Sequence, residues 1–312
     1  MSKPLVIVVT GATASGKTGL AIDIALRLGT QIVSADSRQI YRDIPITTAA
    51  PTPAEQARVR HYLVGELPLD AYYSAAMFEQ QALDIVGRLL KKYGTAVVAG
   101  GSTMYIDALV DGIDAMPTVS PEVRARVYGM DVAGRLSMLE DLDPEYSVTV
   151  DRANTKRVAH ALEVCLESGR PYSSLLTGQH KNRPFDVLKL AIDRSREDLF
   201  ERINRRSLSM LEEGMEAEAR RCYPMRHLNS LNTVGFKEWF VYFDKQAGLL
   251  PDIGMPSSAD ALTSPEAVAA RIAKNTRVYA KKQLTRLKSD PAVVWLPADG
   301  AADAALNHIG RH

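Results

Sequence analysis

Residues 11–18 read Gly-Ala-Thr-Ala-Ser-Gly-Lys-Thr, a match to G-x-x-x-x-G-K-[ST] with an apolar run before it and a helical pattern after it. Gly11 and Gly16 let such a loop fold round an anion with its backbone N–H groups pointing inward, and the helix N-terminus adds positive potential. Lys17 brings a full charge to the terminal phosphates, and the Thr18 hydroxyl is the expected protein ligand for Mg²⁺. Gly11, Ala12, Thr13, Ala14, Ser15, Gly16, Lys17 and Thr18 are therefore the candidate phosphate cradle. The motif specifies phosphate binding and leaves the reaction open. An ordinary nucleotide hydrolase would add an apolar strand ending in Asp, whereas the candidate strand 95–99 ends in Gly100-Gly101-Ser102.

A second chemical signal is Asp36, in Ser-Ala-Asp-Ser-Arg-Gln-Ile-Tyr at 34–41. It follows a short apolar run, where a residue faces the crevice at the strands' carboxyl ends. A carboxylate there can take a proton from an incoming nucleophile. Position alone also allows a turn or cap Asp, or the acidic residue of a small-metabolite kinase.

These residues need elements to hold them. Residues 5–10 (LVIVVT) form a continuous β-branched run typical of a parallel strand buried on both faces. Leu20, Ala21, Ile24, Ala25 and Leu28 recur at helical spacing, with Gly29 as the stop. Strands are expected at 31–35, 95–99, 187–192 and 292–296. A long helix should run from Ser74 to Gly94, and further helices should open at Ser120-Pro121-Glu122, at Ser195 with Asp198 as a capping box, and at Ser264-Pro265-Glu266. Residues 247–263 read as a loop. Strands alternating with helices imply an α/β protein, a P-loop NTPase-like parallel sheet flanked by helices. The stretch between about 115 and 181 shows short helices and no strand, so an inserted all-helical subdomain is expected there, with 1–114 and 182–312 as the core.

The ordered set of motifs resembles the tRNA dimethylallyltransferase (tRNA isopentenyltransferase) family. G-x-T-A-S-G-K-T is at 11–18, S-x-D-S-x-x-x-Y is Ser34 to Tyr41, and G-T-A-K-P corresponds to Thr47 to Pro51. G-G-T-x-x-Y is Gly100 to Tyr105, R-x-x-x-A-L-E-V is Arg157 to Val164, and E-R-I-N-x-R is Glu201 to Arg206. G-Y-K-E is Gly235 to Glu238, and T-R-x-Y-A-K-R-Q-x-T-W is Thr276 to Arg286. Departures from the pattern are Thr47 for Gly, Ala50 for Lys, Ser102 for Thr, Phe236 for Tyr and Arg286 for Trp.

The resemblance implies that the cradle, with Arg202 as a clamp, holds the diphosphate of dimethylallyl diphosphate. Asp36 would accept a proton from an adenine N6 amine, while Ser102, Lys17 and Mg²⁺ on Thr18 would stabilise the departing pyrophosphate. The target would be the adenine 3′ of the anticodon in a tRNA anticodon stem-loop, flipped from its stack. The expected tRNA contacts are Asp36, Ser37, Arg38, Gln39, Ser102, Gly235 and Lys237, and Lys156, Arg157 and His160 of the insert. Arg277 and Lys281 join them from a segment, Arg271 to Lys288, that carries seven cations and no acid. His61-Tyr62-Leu63 falls where the family has a His-rich strand, and a structural role is expected of it. Two readings remain beside this one: an isopentenyltransferase acting on free adenine nucleotides, and a small-molecule P-loop kinase.

Composition narrows the field by exclusion. With 38 Lys and Arg against 37 Asp and Glu, the totals announce no polyanionic partner, so the local basic segment has to carry that argument. Two cysteines exclude a disulfide scaffold and a zinc finger built on cysteine pairs, and fit a reducing cytosol. The N-terminal apolar run is too short to span a membrane. A cytoplasmic monomer with no membrane association is the expectation.

Overall fold

The structure is a computed structural model and describes residues 3–249 and 262–311. Six strands form one sheet: β1 (Leu5–Thr10), β2 (Ile32–Ser34), β3 (His61–Tyr62), β4 (Thr95–Ala99), β5 (Asp186–Asp193) and β6 (Val293–Pro297). Their order is β3-β2-β4-β1-β5-β6, and every pairing is parallel. β1 is buried along its whole length because helices cover both faces, which is why its sequence shows no polar alternation. Val6 and Val8 point into one apolar cluster; Ile7 and Val9 point into another with Leu20, Ala21 and Ile24.

The chain divides into two compact units, one formed by 1–110 with 183–312 and the other by 111–182. In the first, α1 (Lys17–Arg27), α2 (Pro53–Arg58), α3 (Ala75–Tyr93) and α4 (Thr103–Val110) precede the second unit in sequence. The second unit holds α5 (Pro121–Tyr128), α6 (Val132–Leu142), α7 (Pro144–Thr149) and α8 (Thr155–Ser168). After it come α9 (Arg196–Glu212), α10 (Met215–Cys222), α11 (Phe236–Gln246), α12 (Pro265–Lys288) and α13 (Ala301–Ile309). Among its described residues the second unit has helices and no strand, packed on small cores of Leu139, Val158 and Cys165 and of Val127, Ala159 and Leu162.

Helix starts follow local chemistry. Ser74, Ser120, Ser195 and Ser264 each accept a backbone N–H of the first turn, and Gly94 ends α3 in the left-handed region. The capping box expected at Ser195 is only half formed. The Asp198 carboxylate turns instead to Arg194 Nη1 at 2.7 Å, because a guanidinium is a stronger partner than a neutral backbone N–H. The loop read at 247–263 starts with the turn after α11, and its residues 250–261 lie outside the described ones.

Candidate functional site

The candidate site opens at the carboxyl ends of β1, β2 and β4. The loop between β1 and α1 curls so that the Lys17 ammonium donates to the Ala12 carbonyl at 3.1 Å. Two arginines brace the loop from outside: Arg194 Nε donates to the Ser15 carbonyl at 2.6 Å and Arg202 Nε to that of Ala14 at 2.8 Å. Their Nη2 atoms stand 3.5 Å and 3.7 Å from where a Cβ on Gly16 would lie, so both guanidinium groups crowd the cradle. The Ser15 hydroxyl is buried with no partner, and the Thr18 hydroxyl makes no hydrogen bond among the described residues. A buried donor left open at a cradle of backbone amides is a place for an anion.

Asp36 leaves the end of β2. Its Oδ1 accepts from Arg38 N at 2.9 Å and Gln39 N at 3.4 Å, so it does hold a turn. That bonding uses one oxygen, and the residue also lines two clefts, so the turn role and a chemical role coexist. The Gly100-Gly101-Ser102 turn after β4 lies hard against β2. A Cβ on Gly100 would sit 2.1 Å from the Ala35 carbonyl oxygen, which only glycine permits. That approach lets Ser102 Oγ accept the Ser37 N–H at 3.0 Å, beside Asp36.

Three clefts converge here. The narrowest, about 70 Å³, is bordered by Lys17, Thr18, Asp36, Gln39, His61 and Arg206. A wider one of about 390 Å³ includes Asp36, Ser37, Arg38, Ser102, Lys237 and Tyr279. The largest and most open runs past Lys17, Thr18, Arg194, Arg202, Arg205 and Arg206. Arg206 borders all three. Burial, with the Arg206 charge nearby, brings the Lys17 ammonium down to about 8, while Asp36 pulls it back up. Arg206 is itself lowered by burial, with Asp36 opposing. Its one hydrogen bond is a long contact of 3.5 Å to the Ala49 carbonyl, and it has no ion pair among the described residues. A desolvated guanidinium without a carboxylate is expensive unless an anion completes it.

Arg194 carries no signal in the sequence, whereas Arg206 closes the E-R-I-N-x-R segment and belongs to the basic stretch of Arg196, Arg202, Arg205 and Arg206 expected to face RNA. Gln283 was missed too, inside the Thr276–Arg286 match; it bridges the phosphate loop and the Gly101 carbonyl. Glu218, fully buried, accepts Ile46 N and Thr47 N at 2.9 and 2.8 Å and so pins the wall that carries Thr47 to Ala49.

Of the expected tRNA contacts, Arg38 donates to the Asn229 carbonyl at 2.7 Å, and Gln39 Nε2 to those of Thr48 and Ala49. Arg277 hydrogen-bonds Asn204 and stacks over Phe200, and Lys281 is exposed on α12. Gly235 has φ +101, and a Cβ on it would meet Thr47 Cγ2 at 2.3 Å, so the departure at 47 tightens that corner. Lys156, Arg157 and His160 are exposed on α8 of the second unit. Of the other departures, Ala50 lines the open cleft, Phe236 is wholly buried in the core, and Arg286 pairs with Asp107 at 3.3 Å. His61 Nδ1 hydrogen-bonds the Val59 carbonyl at 2.8 Å.

A parallel sheet whose central strand feeds a phosphate loop, with a carboxylate bordering the same narrow cleft as the loop lysine, defines a P-loop NTPase-like protein equipped for group transfer. The family model for IPP transferase matches residues 39–290. The chain is 48% identical to tRNA dimethylallyltransferase 2 of Porphyromonas gingivalis, over 97% of each chain. It is 44% identical to tRNA dimethylallyltransferase 2 of Parabacteroides distasonis, over 98% of each. The crystal structure of tRNA delta(2)-isopentenylpyrophosphate transferase from Staphylococcus epidermidis superposes with a TM-score of 0.67 at 28% identity, covering 99% of this chain and 100% of that one. The chain belongs to the IPP transferase family of enzymes. The family match begins at residue 39, after the phosphate loop and Asp36.

Proposed function

We propose that this enzyme transfers the dimethylallyl group of dimethylallyl diphosphate to N6 of the adenine 3′ of the anticodon in tRNA. The observation that carries the reading is the narrow cleft that Lys17, Thr18 and Asp36 border together. A diphosphate on the loop and an amine at Asp36 would face each other across it. In the reaction the allylic C1–O bond breaks, C1 bonds to N6, and the N6 proton passes to Asp36. Lys17, the loop amides, Arg202 and Arg206 would take up the negative charge that grows on the leaving pyrophosphate. Ser102 holds the Ser37 N–H in place and leaves its hydroxyl hydrogen for the bridging oxygen. Holding an exocyclic amine in line matters because it is a weak nucleophile.

The donor set fits Mg²⁺. No cluster of three His, Cys, Asp or Glu exists among the described residues, so a dedicated protein cage is absent there; the Thr18 hydroxyl is an open hard donor beside the cradle. Thr18 would hold the cation beside the cradle, where it would supply charge neutralisation for the leaving pyrophosphate. RNA would be held by Ser37, Arg38, Gln39, Gly235 and Lys237, by the α12 cations including Arg277 and Lys281, and by Lys156, Arg157 and His160 of the helical unit. No helix among the described residues is long and apolar enough to cross a membrane. On this reading the enzyme works as a monomer in the cytoplasm, where its tRNA substrate is.

The test is mass spectrometry of an unmodified tRNA transcript with an A-A-A anticodon loop, incubated with the protein, Mg²⁺ and dimethylallyl diphosphate, beside a reaction offering AMP. Gain of one isoprenoid unit on tRNA alone is the expected result. Gain on AMP alone would move the enzyme to the free-nucleotide class, and no gain on either, with ATP hydrolysed when ATP and small metabolites are supplied, would make it a kinase.

A further inference from the structure

Gln283 is 6% exposed and sits on α12, 270 residues from the phosphate loop. Both ends of its amide are used. Oε1 accepts the Thr13 N–H at 2.9 Å, and Nε2 donates to the Gly101 carbonyl at 2.9 Å. The two partners settle the orientation of the amide, since a donor faces one end and an acceptor the other. Among the described residues no other side chain hydrogen-bonds both loops. One carries the diphosphate cradle; the other carries Ser102, whose oxygen holds Ser37 beside Asp36. Gly101 is fitted to this contact, because a Cβ there would lie 2.7 Å from Gln283 Nε2.

We infer that Gln283 is a positioning residue that sets the separation of the leaving-group loop and the nucleophile-side turn. The inference rests on the proposed transfer reaction. Apart from the Thr13 N–H, the groups proposed to bind substrate on each loop are ones that Gln283 does not touch. What the clamp fixes is the distance between them, and that distance matters only when diphosphate, allylic carbon and amine must align. Thr276 and Tyr279 of the same helix line the wide cleft, so the clamp also ties that wall to both loops.

The test is a double-mutant cycle of Gln283→Met, which keeps the volume and removes both hydrogen bonds, and Gly101→Ala, which pushes the amide away. Wild type and variants are compared for kcat and KM on tRNA, for pyrophosphate affinity by calorimetry, and for thermal melting. Each single variant should lower kcat by roughly 10–100-fold, the scale of an approximately 1 Å misplacement. KM and pyrophosphate affinity should stay within about threefold, the signature of an interaction realised in the transition state. The double variant should be no slower than the worse single one, because both remove the same contact. Wild-type kcat in Gln283→Met, effects that multiply in the double variant, or a kcat loss that tracks a fall in melting temperature and in pyrophosphate affinity would overturn the inference. Absence of transfer by the wild-type enzyme would sink the functional reading, and this inference with it.

Discussion

The wide and the open cleft meet at Ala14, Ala49, Arg206 and Met210, yet they are built from different chemistry. The wide one sets Asp36 among hydroxyl and amide groups, Ser37, Thr48, Ser102, Asn232 and Tyr279, with Arg38, Lys237 and Arg206 also on its wall. The open one rings the phosphate loop with Lys17 and four arginines. Hydrogen-bonding groups of both senses can orient a neutral base, whereas clustered cations mainly favour an anion. The contrast teaches that the two halves of a transfer reaction can be served by separate surfaces, with Arg206 as the charged residue the two clefts share.

That division can be broken from either side. The largest effect is expected from Asp36→Ala. Transfer should fall about 10²–10⁴-fold, the range for loss of a general base, while pyrophosphate affinity measured by calorimetry stays nearly unchanged. Transfer at the wild-type rate would remove Asp36 as the base. Arg206→Met tests the shared residue. Pyrophosphate affinity should weaken by roughly 10–100-fold, as when one member of a desolvated charge pair is truncated. An unchanged Kd would leave the buried guanidinium without an anion to serve.

Lys17 gives the open cleft a pH signature. With its ammonium brought down to about 8, it carries charge below that pH and loses it above. Pyrophosphate affinity should therefore drop as pH rises through about 8, by at most about tenfold per unit for one proton, and Lys17→Met should abolish the dependence. The same shift acts on folding with the opposite sense. Between about 8 and the ordinary 10.5 the unfolded chain binds more protons, so stability of the ligand-free protein should rise with pH across that window. A melting curve flat over the same range would contradict the buried charge. The smallest effect is expected at Ser102→Ala, which strands the Ser37 N–H: transfer should fall by about threefold to tenfold, near the worth of one hydrogen bond, with pyrophosphate affinity intact. A loss of affinity as well would mean that the Ser102 hydroxyl already bonds the diphosphate in the ground state.

Much of the frame could be read from residue order. The β1 run, the loop glycines, the serine caps of α3, α5, α9 and α12 and the stop at Gly94 are local signals, decided within a few residues of where they act. The short elements were not readable in the same way. α2 is six residues long and β3 two, too short for a period; α2 is opened by the Thr52–Glu55 capping box with Pro53 in its first turn, while β3 is held by its parallel pairing to β2. Asp198 shows a local rule overridden, since Arg194 offered its carboxylate a better partner than the cap.

The sequence alone determined the phosphate loop, the sheet that feeds it and the presence of an acid after the second strand. Each depends on backbone conformation and residue type over short spans. Only the tertiary structure decided which distant groups complete the site. Gln283 reaches Thr13 across 270 residues, Arg202 reaches Ala14 across 188, and Glu218 holds Thr47 across 171. A polar side chain buried in a folded protein must find a partner, and the identity of that partner is set by which helices pack together rather than by anything in its own neighbourhood of the chain.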